Sequence, residues 1–422
     1  MKKNILILTL MMITPLLKST PLGFLKPFNF MIEPEPVVAM YNIKNSAKFQ
    51  WGIMTQLSYD TNSFDEDGNL VNAMQIYETQ QNVLGLYQGT GTSDKSSQFI
   101  NSLAGGSGGG VNNSENGLFT PTGDFNGSQF AFFGTYMFHN HCFFKFALPV
   151  YKVQLSNVTW AYTGNNTTFA GQAIETELVN DFISDAKNLF GLNLSNWNEA
   201  GIGDLLMLLD YICDFPQGRT LLRNVRVHGR LGLTFPTGFV ASDNVMSVPF
   251  GADGSMTLPF GGGLDINLGR YFQCGFRGEF SYIWGNEMLR RVPSFKQQTS
   301  LLFPQLVPTY KDYGITQLFN LYAQAYGIAK GLSFKVAYEY YNKGVDTISV
   351  DRSGFNYELL NTNKRLDEMT THNMIFFLSF DSGFLEKRDK IHPQASIFLN
   401  LPFNGSFATL ASSVGMQLSL DF

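Results

Sequence analysis

The stretch Val414-Gly415-Met416-Gln417-Leu418-Ser419-Leu420-Asp421-Phe422 decides the fold. Val414, Met416, Leu418, Leu420 and Phe422 are apolar, and the residues between them are small or polar. A strict two-residue period describes a strand with one oily and one wet face. A terminal aromatic on the oily face sits well at the headgroup level of a bilayer. The same alternation recurs far upstream. In 49–59, Phe49, Trp51, Ile53, Leu57 and Tyr59 share one face, while Gln50, Gly52, Gln56 and Ser58 share the other. A polar inner face suits a water-filled lumen and would be costly in a packed soluble core.

Composition fits that pattern. Charged residues are only 15% of the 422, while aromatics reach 14% with 39 Phe. An apolar-rich chain without a further long oily run distributes its hydrophobicity by alternation, as a membrane barrel does. A net charge of −5 gives no electrostatic support for nucleic-acid binding. Cys142, Cys213 and Cys274 are far apart and odd in number, which suggests neither a disulfide framework nor a zinc site. The terminal stretch resembles the C-terminal signal strand of Gram-negative outer-membrane β-barrels. That resemblance implies an outer-membrane location, contact with outer-membrane lipid, and Val414, Met416, Leu418, Leu420 and Phe422 as a signal read by the barrel-assembly machinery.

At the other end, Lys2 and Lys3 precede the apolar run 5–17, a basic start with a core too short to span as a helix. Residues 1–20 read as a secretory signal peptide, 21–47 as a proline-bearing periplasmic arm, and 48–422 as the barrel. Strands are predicted at 49–59, 129–138, 142–151, 204–215, 222–235, 256–269, 272–284, 315–328, 332–340, 374–381, 395–403 and 414–422. Twelve is an even number, as an antiparallel barrel with both termini on one side requires, and the expected range is twelve to fourteen. Turns near Asn140, Gln217, Arg270 and Lys330 are short, and 382–393 lies on the same side. The other side carries the excursions 60–127 and 152–201, the loops 236–255, 285–314 and 342–368, and one short turn near Asn404. Short turns on one side and long loops on the other is the outer-membrane barrel arrangement. Within the second excursion, Ile174, Leu178, Phe182, Ala186 and Phe190 recur at helical spacing. The stretch 72–87 fits either a short helix or a hairpin.

Function has to be read from the lumen. The inward face is expected to carry Arg226, His228, Arg230, Asp265, Arg277, Glu279, Lys335 and Glu339. Arginines one strand step apart repel each other. Glu175, Glu177, Asp181 and Asp185 on the loop helix are therefore expected to face them as a constriction that orients polar solutes. The leading expectation is a channel for small solutes. The segment Gly203-Asp204-Leu205 to Pro236-Thr237-Gly238 resembles hydrocarbon-uptake barrels, the fatty-acid transporter family and its phenol-pathway relatives, and that likeness implies apolar cargo instead. A surface adhesin or structural barrel is the third reading. An enzyme is not expected. His228 stands between two arginines, with no orienting carboxylate near it in sequence. The histidines around Asn140 read as turn residues, and neither a metal nor a cofactor is expected.

Overall fold

The computed structural model describes residues 48–87, 116–165, 167, 169–240, 242–329, 331–351, 354–384 and 391–422. The predicted signal peptide 1–20 and the whole of the segment 21–47 lie outside the described residues. Long strands form β1 (Phe49–Phe64), β2 (Leu118–His139), β3 (Cys142–Tyr162), β4 (Leu205–Pro216), β5 (Leu222–Phe235) and β6 (Thr257–Leu268). They continue as β7 (Phe272–Ile283), β8 (Thr316–Ala329), β9 (Leu332–Lys343), β10 (Met369–Asp381), β11 (His392–Ser406) and β12 (Ala408–Asp421). Each pairs antiparallel with its sequence neighbour, and β1 pairs with both β2 and β12, which closes a 12-strand barrel. The seam is continuous. Trp51 lies opposite Leu420 on one side and Gly134 on the other. The Phe422 amide donates to Phe49 O at 2.9 Å, and the two rings sit 6.3 Å apart.

Alternation becomes an inversion of the usual burial rule. Leu57 is 55% exposed while Gln56 beside it is fully enclosed, and Val227 is 45% exposed beside Arg226 at 5%. A closed sheet satisfies every backbone group, and its oily exterior is the surface that hydrocarbon requires. Inward glycines let large rings lie flat against the wall. A Cβ on Gly52 would come within 2.4 Å of Phe133, and one on Gly415 within 2.2 Å of Phe398. The three cysteines are free.

The connections sort by length as expected. On the side of the termini they are 140–141, 217–221, 269–271, 330–331 and 382–391, and on the other side 65–117, 163–204, 236–256, 284–315 and 344–368. Several predicted boundaries need correction. Strands β2 and β3 extend to Leu118 and Tyr162, so residues 118–127 and 152–162 of the excursions 60–127 and 152–201 are wall. Polar outer residues such as Asp124 and Asn126 hide that continuation from a hydropathy reading, since the strands there have left the oily belt. Asn404 is inside β11, and the tight turn falls at Phe407. Phe407 takes φ +48°, a left-handed value rare for a bulky residue, and its buried ring packs on Tyr77 at 5.8 Å.

The long connections assemble into a cap. The helix α1 (Phe169–Phe190) buries Leu178, Phe182 and Ala186, as its spacing predicts. Phe182 packs against Phe119 at 4.7 Å and edge-on to Trp160 at 5.5 Å, both from the barrel rim. Met246, Phe250, Leu301 and Leu302 from other loops complete the same core. The stretch 72–87 supplies a 3-10 turn at Ala73–Gln75 and a short helix at Val83–Tyr87, both buried in it. Asn286–Val292, Gln305–Asp312 and Thr347–Ser349 form a separate three-stranded sheet in the cap.

Candidate functional site

The turn 217–221 fixes the register of β4 against β5, placing Asp214 opposite Arg226 and Asp210 opposite Arg230. Both arginines are thereby paired across the strands. Arg226 Nε donates to Asp214 at 2.8 Å, and Arg230 Nε donates to Asp210 at 2.9 Å. Arg230 also reaches past the next strand. It lies opposite Gly261 of β6, Gly261 lies opposite Glu279 of β7, and Arg230 Nη1 meets Glu279 at 3.0 Å over that glycine. Any side chain on Gly261 would meet the Gly278 carbonyl within 2.2 Å. Lys145 of β3 pairs with Asp210 from the other side. Buried charges persist when paired and hydrogen-bonded in this way.

A second network runs beside it. His228 Nε2 lies 3.7 Å from Asp265, whose carboxylate accepts the Tyr322 hydroxyl at 2.6 Å. Gln273 donates to the same hydroxyl at 2.9 Å and in turn accepts from Tyr326. Lys335 sits over the rings of Tyr322 at 4.8 Å and Phe377 at 5.0 Å. Glu339 accepts from Asn373 at 3.3 Å. Arg277 lies between Glu279 and Asp265's partner Gly275 on the inward face of β7.

The geometry revises the expected constriction. The carboxylates that pair with Arg226 and Arg230 are Asp214, Asp210 and Glu279 of the barrel wall. Asp185 accepts the Tyr87 hydroxyl at 2.8 Å within the cap, Asp181 is exposed, Glu175 is half-buried, and the Glu177 side chain lies outside the described residues. His228 does have a carboxylate neighbour, Asp265, supplied by the next strand. Sequence reasoning missed Lys145, Asp210, Asp214 and Tyr322. The first three carry the inward parity of their strands, so the signal was present once the faces were assigned. His141 Nδ1 is 2.8 Å from Ile212 O, and no metal-binding cluster occurs among the described residues.

Part of the lumen wall is apolar. Met54, Phe133, Leu206, Leu208, Ile375 and Phe398 are buried together on the inward face, with Tyr322 and Phe377 packed against them. This group abuts the charged network directly. Leu208 and Asp210 are successive inward residues of β4, and Tyr322 belongs to both groups.

The segment resembling hydrocarbon-uptake barrels forms a clasp at the cap end. Thr237 Oγ1 donates to Gly203 O at 2.8 Å, and Asp204 accepts the amides of Gly238 at 3.0 Å and Ala252 at 2.7 Å. A Cβ on Gly238 would approach Phe250 O within 2.3 Å, so the motif's last glycine is dictated by this close approach. Burial pushes the Asp204 carboxyl up to about 7, outweighing the two amides that pull it down. Asp253 is likewise raised to about 6 by burial. Arg291 ties the loops together, donating to Phe190 O at 2.6 Å, Pro304 O at 2.8 Å and Asp243 O at 2.9 Å. Arg365 adds a contact to Asp243 at 3.4 Å.

No protein-family model matches the sequence, and no curated protein does. Among solved structures, the chain is similar to an outer membrane channel from Pseudomonas putida F1, with TM-score 0.46, 11% identity, and coverage of 92% of this chain and 98% of that one. The NanC porin gives TM-score 0.32 at 9% identity over 72% of this chain and 98% of the porin. The outer membrane channel DcaP of Acinetobacter baumannii gives 0.23 at 8% identity over 89% and 96%. None of these likenesses says what crosses this lumen.

Proposed function

We propose that the chain is an outer-membrane channel through which small solutes diffuse along a polar, ion-paired lumen. One observation carries this reading: the closed barrel turns aliphatic and aromatic side chains such as Leu57 and Val227 outward and encloses charged and amide ones such as Arg226 and Gln56. Such a wall suits lipid outside and hydrated solutes inside. In this reading Arg226, Arg230, Asp265, Glu279 and their partners line the path. The cap controls entry at the long-loop end. Residues 1–20 direct export. The outward-facing Val414, Met416, Leu418 and Leu420, with the terminal Phe422, serve as the signal for the barrel-assembly machinery.

The test is reconstitution of the detergent-purified protein into planar bilayers after a heat-modifiable gel shift has confirmed a folded barrel. Discrete conductance steps are expected, and the double variant Arg226→Ala/Arg230→Ala should alter their size. A folded barrel that leaves the bilayer silent at all voltages overturns the channel.

A further inference from the structure

The lumen brings two kinds of wall together. On one arc, Met54, Phe133, Leu208, Ile375 and Phe398 are buried together in one apolar cluster. On the other, Arg226 faces Asp214, Arg230 faces Asp210 and Glu279, and Lys145 shares Asp210. Tyr322 joins the arcs, its hydroxyl on Asp265 and its ring under Lys335. Next to the apolar arc, the side-chain amide of Gln129 is 2% exposed and has no hydrogen-bond partner among the described residues. Buried amides are satisfied as a rule, so this one keeps hydrogen-bonding capacity unused.

We propose that this waist favours small zwitterions bearing an apolar side group, of which the hydrophobic amino acids are the simplest. The inference rests on the channel reading above and names its solute class. A lone anion gains from Arg230 only by displacing Asp210 or Glu279, which strands a carboxylate in a poorly hydrated site. A lone cation strands an arginine by the same exchange. A zwitterion brings both signs, so its carboxylate and ammonium can replace one ion pair while every protein charge keeps a partner. Its side group meanwhile slides along Phe133, Leu208 and Ile375, where a sugar would lose hydration without compensation. The selectivity thus arises from paired charges beside an oily arc, which neither arc supplies alone.

The experiment measures uptake of labelled solutes into proteoliposomes, alongside single-channel conductance in potassium chloride. Phenylalanine is compared with phenylpropionate, which lacks the ammonium, with glycine, which lacks the side group, and with arabinose, which is neutral. Phenylalanine should enter several-fold faster than each of the others. Phe133→Ser should bring the phenylalanine-to-glycine ratio toward one, and Ile375→Thr, which removes less volume, makes the same test where the first variant does not fold. Equal or faster entry of phenylpropionate overturns the proposal, as does a ratio unchanged in both variants. When salt conducts but the four solutes do not differ, the solute class alone falls. Silence to salt and solutes alike removes the channel itself.

Discussion

At Arg226-Val227 in the wall the charged residue is enclosed and the aliphatic one exposed; at Asp181-Phe182 in the cap the acid is exposed and the ring is 1% exposed. One chain therefore sorts residues by two opposite rules. The wall behaves as a protein whose exterior solvent is hydrocarbon, and the cap as one whose exterior solvent is water. The difference extends to charge. Wall ions pair with side chains on the next strand or the one beyond it, because a cylinder leaves few backbone groups free to help. Cap ions such as Arg291 and Asp204 are held mainly by the backbone of irregular loops. Wall pairs consequently hold strand to strand, and cap ions hold loop to loop.

The largest effect should come from the wall. Asp210→Ala leaves Lys145 and Arg230 without their shared carboxylate, and losing one partner of a buried pair costs about 3–5 kcal/mol. A clear drop in the urea midpoint of the detergent-solubilised barrel is expected. An unchanged midpoint would mean that the lumen screens charge as bulk water does, and the contrast with the cap would weaken.

Next comes Arg291→Ala. Removing this tie strands the carbonyls of Phe190 and Pro304 and should cost the cap on the order of 3 kcal/mol. Limited proteolysis should then cut the cap loops while the heat-modifiable barrel band stays as in the parent. Loss of the folded band would show that cap and wall do not separate.

A smaller effect follows from pH. Asp204 releases its proton at about 7 when folded and near its ordinary value of 3.8 when unfolded. Between these values the folded cap holds the extra proton, so its stability falls as pH rises from about 4 to about 7 and then levels off. Hydrogen exchange in 236–252 should quicken over that window, and Asp204→Asn should flatten the dependence. Exchange that slows as pH rises, after correction for intrinsic rates, contradicts the sign.

The smallest effect belongs to Asp181→Asn. An exposed carboxylate on α1 should change stability by less than ~0.5 kcal/mol and leave conductance alone. A changed conductance would restore a lumenal role to the helix.

Much of the wall was legible in sequence because a period of two needs only local information. The faces of 49–59, 222–235, 272–284 and 414–422 follow from alternation, and so do the inward positions of Arg226, His228 and Arg230. Partners are another matter. Asp210 and Asp214 share the four-residue spacing of Arg230 and Arg226, but which acid meets which base depends on register, and a two-residue shift at 217–221 would set Asp210 opposite His228 and Asp214 opposite Asn224 instead. Strand ends were misjudged where the oily belt stops and the ladder continues. The helical spacing of α1 was visible, whereas its docking site was not, because that site is assembled from loops far apart along the chain.

The sequence by itself determined a closed antiparallel barrel with an oily outside, since alternation and loop-length sorting are properties of successive residues. Only the tertiary structure decided that Arg230 crosses Gly261 to Glu279, that the Gly203–Gly238 motif is a clasp, and that an apolar arc adjoins the paired charges. Those facts depend on which strands and loops become neighbours, and neighbours are chosen by register and closure, which no local pattern encodes.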